Sequence, residues 1–163
     1  MHIKKIVACF LIGFSMLSLT PCATAGAAED YEHIKTHYVS ASRGLILTRE
    51  EFFLLAKLIH AEARGEPLLG QVAVGAVVFN RLKDPRFPKT ITKVIHEQDQ
   101  FSPVMDGSIN LPPGEEALLA AELALNGMDP TNGCLYFYNP DRAESKWMYS
   151  LPAEIKIGSH VFC

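Results

Sequence analysis

The stretch 69–82 sets Gly70, Ala73, Gly75 and Ala76 among Val72, Val74, Val77, Val78 and Phe79. Its apolar residues are spread over every side, so the segment has to be buried rather than laid on a surface. The β-branched residues would also suit a strand, but the length favours a helix. Its small residues predict close packing on a neighbouring helix. A buried central helix is therefore the element around which the rest of the chain must be arranged.

The neighbour is legible just upstream. Thr48 followed three residues later by Glu51 forms a capping box that opens a helix over 50–63, and Leu55, Leu58 and Ile59 give it an apolar stripe. Gly65 and Pro67 end it. Glu62 continues the stripe, four residues after Leu58 and three after Ile59, so a carboxylate points with the buried side. Burial disfavours the charged form and raises the pKa, as a general acid working near neutral pH requires. The alternative is a structural Glu62 paired with Arg64 or Arg81, or turned to solvent at the helix end.

Downstream, 84–88 is a loop, and Thr90 caps a short helix through Ile91, Val94 and Ile95. Residues 97–113 are expected to be irregular, and long loops in compact domains are often functional. A helix is predicted over 115–126, where Leu118, Leu119, Leu123 and Leu125 sit among alanines before Asn126-Gly127. The pattern then changes to strands: 134–138, 154–157 and 160–162, the last two forming a hairpin around Gly158. Helices first and strands last predict a single, mainly helical α+β domain.

The chain of 163 residues can bury one core. Lys4 and Lys5, an apolar run from Ile6 to Leu19 and the small residues after Pro21 have the layout of a secretory signal peptide, with cleavage after Ala25 or Ala27. The run falls short of the ~20 residues of a membrane span. Lipid attachment at Cys22 fits poorly beside Pro21. The resulting division is a signal peptide over 1–27, a flexible lead-in over 28–47 and an exported folded domain over 48–163. Without Lys4 and Lys5 the chain keeps 13 basic against 18 acidic residues, a net of −5, and no basic patch, which argues against nucleic acid as a partner. Cys134 and Cys163 remain in the mature chain, and their pairing is left open.

Several chemistries are open to these residues. A two-carboxylate glycosidase needs a partner for Glu62 at a defined separation. Glu66, Asp99, Asp106, Asp141 and Glu144 are the candidates, and Glu66 lies past Gly65, outside the helical register. His60-Ala61-Glu62 has the H-x-E of zinc deaminases, but no C-x-x-C follows it. A zinc site from His60, His96 and His160 is disfavoured because residues two apart on a helix face different directions. No cofactor or metal is expected. Tyr136, Phe137, Tyr138 and Asn139, with Trp147 and Tyr149, form an aromatic and amide cluster in which Tyr136 and Tyr138 share one strand face. Such a cluster suits a sugar-binding groove or the packing of a small sheet.

Taken in order, these segments resemble the SleB-type cell-wall hydrolases, the spore-cortex-lytic family that also includes the CwlJ-type proteins. The matching pieces are 58–66 (LIHAEARGE), 70–81 (GQVAVGAVVFNR), 100–102 (QFS), 135–140 (LYFYNP), 145–147 (SKW) and 157–162 (IGSHVF). The resemblance implies a lysozyme-like or lytic-transglycosylase-like domain acting between N-acetylmuramic acid and N-acetylglucosamine. It assigns the catalytic glutamate to Glu62. It also implies that one carboxyl serves as acid and then as base, leaving a 1,6-anhydro end, with no second carboxylate. Asn80, Arg81, Phe101, Ser102, Tyr136, Tyr138, Asn139 and Trp147 are the groove or site-support candidates. The resemblance makes 48–163 the catalytic domain, and the expected partner is peptidoglycan, of cortex or vegetative wall, met by a monomer in a periplasm, cell wall or spore envelope. A hydrolysing muramidase and a non-catalytic peptidoglycan-binding module are the competing readings.

Overall fold

A computed structural model of the chain describes residues 47–143 and 147–163. The expected signal peptide, the lead-in up to residue 46, and Glu144, Ser145 and Lys146 lie outside the described residues. Five helices precede a small sheet: α1 (Arg49–Ala63), α2 (Leu68–Lys83), α3 (Ile91–Ile95), α4 (Ser102–Asp106) and α5 (Glu115–Leu125). Strands β1 (Phe137–Tyr138), β2 (Ile155–Ile157) and β3 (His160–Phe162) follow, in the order β1-β3-β2 with both pairings antiparallel. Single-turn 3₁₀ segments lie at Ser108–Asn110 and Met148–Ser150. The mainly helical α+β domain is thus the one expected.

The central helix is α2, buried without a break from Gly70 to Leu82. A Cβ added at Gly75 would stand 3.0 Å from both Ala124 Cβ and Ile59 Cδ1, so three helices meet where the side chain is missing. This crossing packs α2 against α1 and α5. Buried Gln71 adds a polar tie: its Nε2 donates to Glu66 O and to Glu116 Oε2, both at 3.1 Å.

Helix α1 starts with both halves of its capping box in place, Glu51 N donating to Thr48 Oγ1 and Thr48 N to Glu51 Oε2. It stops where Arg64 turns extended and Gly65 takes φ +90°. Thr90 caps α3 through Lys93 N.

Two expectations need correction. Residues 97–113 are not wholly irregular: Ser102–Asp106 forms α4, ended by Gly107 at φ +83°, and the Ser108–Asn110 turn follows. The strand expected over 134–138 shrinks to Phe137–Tyr138. The reason lies in α2, which takes the carbonyls a longer ladder would use. Asn80 Nδ2 donates to Cys134 O at 3.2 Å, and Arg81 Nε donates to Leu135 O at 2.7 Å. The amides of Leu135 and Tyr136 instead converge on Cys163 O. Cys134 and Cys163 are free thiols, and burial is the main cause that pushes Cys134 up to about 11.

Candidate active-site groove

Glu62 sits in the last turn of α1, half-buried, on the edge of an open groove of about 740 Å³. Its carboxyl makes no hydrogen bond or ion pair with Arg64, Arg81 or any other described residue. Desolvation by the surrounding protein, with Asp106 as a second cause, pushes its carboxyl up to about 7. A substantial fraction of it is therefore protonated at neutral pH, and the group stays open to a ligand.

The sheet side of the groove is aromatic. Tyr136, Phe137, Tyr138, Asn139 and Trp147 all line it. Tyr136 meets Trp147 edge-on at 5.1 Å, and Tyr138 meets Tyr149 edge-on at 5.2 Å. Trp147 keeps 52% of its surface exposed, leaving ring area free for stacking on a sugar face. Phe137 also packs inward on Phe101, His160 and Phe162. The segment 99–108 also contributes, with Ser102 and Met105 lining the groove beside Asp99 and Asp106. Asp106 Oδ1 accepts from Ser108 N at 2.8 Å, and hydrogen bonds from Ser108 hold its carboxyl below the usual range.

Behind the aromatic wall lies Arg81, 3% exposed. Its guanidinium carbon is 4.9 Å from the Phe101 ring, 5.1 Å from Phe87 and 5.3 Å from Tyr136. Burial lowers its pKa, and one of its terminal nitrogens finds no hydrogen-bond partner among the described residues. Arg81 reaches the groove, but the cation mainly backs the wall.

Asn80 and Phe101 do not line the groove and take supporting places instead. Asn80 donates to Asp129 Oδ2 at 2.9 Å as well as to Cys134 O. Asp129 also accepts from Thr131 N, Thr131 Oγ1 and Gly133 N, so it organises the loop that feeds β1. Phe101 is buried beneath α4 as the platform for Arg81 and Phe137.

Of the other carboxylates weighed for Glu62, Glu66, Asp99 and Asp106 line the same groove and Asp141 does not; Glu144 lies outside the described residues. Glu66 Oε2 accepts from Ser159 N at 2.9 Å, and that bond is the main cause keeping its carboxyl below the usual range. The three histidines of the zinc reading have separate contacts. His60 Nδ1 accepts from Gly114 N, His96 Nδ1 contacts Thr92 O, and His160 Nδ1 lies 3.9 Å from Glu66 Oε1. No group of three metal-ligating side chains occurs among the described residues.

Sequence reasoning did not single out Met105, Arg142 or Ser159, which come to the groove only through the fold. Arg142 and Ser159 had no signal beyond lying in or beside the 135–140 and 157–162 segments.

Residues 65–163 match the Cell Wall Hydrolase family. The chain is 47% identical over 116 residues to the spore cortex-lytic enzyme of Bacillus cereus, an alignment covering 71% of this chain and 45% of the relative. Against the spore cortex-lytic enzyme of Halalkalibacterium halodurans the identity is 49% over 110 residues, covering 68% and 33%. The chain thus spans less than half the length of these curated relatives. Among solved structures, the catalytic domain of the germination-specific lytic transglycosylase SleB from Bacillus anthracis superposes with a TM-score of 0.69 at 45% identity, covering 74% of this chain and 98% of that one.

Proposed function

The chain belongs to the cell wall hydrolase family, and from that premise we propose that it cleaves peptidoglycan glycan strands between N-acetylmuramic acid and N-acetylglucosamine as a lytic transglycosylase. The observation that carries this reading is Glu62: a carboxyl pushed up to about 7, free of ion pairs among the described residues and facing a groove with an aromatic wall. The match to an enzyme described as a lytic transglycosylase adds to it.

Glu62 acts first as the acid. Its proton passes to the glycosidic oxygen, the bond from that oxygen to the muramic anomeric carbon breaks, and the N-acetylglucosamine side leaves with a free hydroxyl. Glu62, now a carboxylate, takes the proton of the muramic 6-hydroxyl. That oxygen bonds to the anomeric carbon, giving a 1,6-anhydro end and returning Glu62 to its acid form. No water is consumed. Trp147, Tyr136 and Tyr138 stack on the sugar rings, while Ser102 and Asn139 hydrogen-bond hydroxyl or acetamido groups. The leader over 1–27 delivers the enzyme to the wall.

Asp106 favours a second reading. A carboxylate in the same groove is what a hydrolysing muramidase needs to activate water. The product decides between them. Purified protein is incubated with spore cortex and with vegetative sacculi, and the released muropeptides are weighed. Anhydro products, lighter by one water, are expected. Reducing ends would transfer the assignment to a muramidase, and full activity in Glu62→Gln would overturn Glu62 as the acid. The preferred wall is read from the same pair of digests.

A further inference from the structure

Glu66 stands four residues after Glu62, in the turn between α1 and α2, and this turn is held in place from within. Gln71 Nε2 grips Glu66 O and also Glu116 on α5. Outward, the side chain of Glu66 reaches a segment 93 residues away, where Oε2 accepts from Ser159 N at 2.9 Å. The contact is tight. Gly158 takes φ +58°, and a Cβ placed there would overlap Glu66 Oε2 and come within 3.0 Å of Pro67 Cδ.

Gly158 and Ser159 form the turn of the β2–β3 hairpin, Ile157 pairing with His160 across it. Strand β3 is central and carries β1 through the pairs Phe137–Phe162 and Tyr138–Val161. One carboxylate therefore joins the end of the Glu62 helix to the strand that carries the aromatic wall. His160 adds little charge to this contact: its Nδ1 lies 3.9 Å away, and burial, the largest cause, lowers its pKa so that the neutral form is favoured.

We propose that Glu66 is a positioning residue, a latch that sets the spacing between Glu62 and the Tyr136–Tyr138 wall by holding the β2–β3 turn to the end of α1. The proposal rests on Glu62 being the acid of the reaction. It gives Glu66 a geometric task in place of the second-carboxylate role.

Three variants of the full chain test it, with Glu62→Gln run beside them. Glu66→Gln keeps an oxygen that accepts from Ser159 N, so it is expected to stay within about fivefold of the parent in kcat/KM. Glu66→Asp keeps the charge but is one methylene too short. It is expected to fall about 10- to 100-fold, chiefly in kcat, as is Glu66→Ala, because small displacements at a reacting centre cost rate steeply. Circular dichroism establishes that each variant is folded, and Glu66→Asp with Glu66→Gln suffices if Glu66→Ala does not fold. The alkaline limb of the pH–rate profile is expected to stay where Glu62 puts it. Rescue by Asp and not by Gln would assign Glu66 to the chemistry through its charge and overturn the latch. Parental rates in Glu66→Asp would overturn it as well. Retained cleavage in Glu62→Gln would sink the Glu62 assignment instead, a failure visible separately.

Discussion

Asp106 lies close enough to Glu62 for its negative charge to help raise the Glu62 carboxyl, although the two stand on different helices, 44 residues apart in sequence. Burial is the larger cause and Asp106 the smaller. Since the acid must be protonated to start the reaction, kcat/KM is expected to fall as pH rises through about 7. Asp106→Asn removes the second cause only. Its alkaline limb is expected to move to lower pH by less than about one unit, with cleavage retained. A pH–rate series on both proteins checks this, and loss of cleavage in Asp106→Asn would favour the muramidase reading.

Glu62→Gln should lower cleavage by about 10²- to 10⁴-fold, the usual contribution of a general acid. It should also change how stability depends on pH. The folded chain binds the Glu62 proton more tightly than the unfolded chain does, with a pKa of about 7 against 4.5. The group's contribution to stability is therefore fully present below 4.5, falls as pH rises and is lost above about 7. A neutral amide has no such loss. Urea midpoints of the two proteins should be similar near pH 4.5 and separate in favour of Glu62→Gln by pH 8. The gap should be on the order of 2–3 kcal/mol, from 1.4 kcal/mol per pKa unit. Parallel curves over that range would mean that Glu62 is not desolvated.

How much of this was legible depends on how local each cause is. The start of α1 was written in Thr48 and Glu51, the burial of α2 in its glycines, alanines and valines, and the hairpin in Gly158. The half-buried place of Glu62 on α1 was legible because helical spacing sets it beside Leu58 and Ile59. Helix α4 was not, since five residues opened by Ser102-Pro103 show no periodicity. The strand over 134–138 was overread because its alternation is real but its carbonyls are taken by Asn80 and Arg81, more than 50 residues away. Asn80 was among the groove candidates for a related reason: the motif marks it, but only the fold reveals Asp129 as its partner.

Gly75 tests the packing that carries the site. Valine there places atoms where Ala124 Cβ and Ile59 Cδ1 already stand 3.0 Å from the first added carbon. Ala124 Cβ is bonded directly to the α5 backbone and cannot turn aside, so α1, α2 and α5 must separate. Gly75→Val is expected to cost about 1–3 kcal/mol in urea unfolding, the usual penalty of overpacking a filled core. Unchanged stability would show that the crossing has slack.

Arg81 makes the last prediction because two of its properties point the same way. It is buried with one side-chain hydrogen bond among the described residues, from Nε to Leu135 O, and its flat cation lies among Phe87, Phe101 and Tyr136. Lysine keeps the charge but loses both the planar stacking surface and the fixed Nε–H. Arg81→Lys is expected to cost about 2 kcal/mol of stability, in line with the loss of desolvated cation–π contacts. Tyr136 then loses its backing, and with it Trp147, which Tyr136 meets edge-on. Trp147 is the chain's one tryptophan, so its emission reports on the wall directly. A shifted emission is expected, together with a KM raised severalfold and a kcat little changed, because the loosened rings hold glycan less well while the intact Glu66 latch keeps the wall at its spacing from Glu62. If kcat fell and KM held, Arg81 would have to act on the reacting bond rather than through Tyr136.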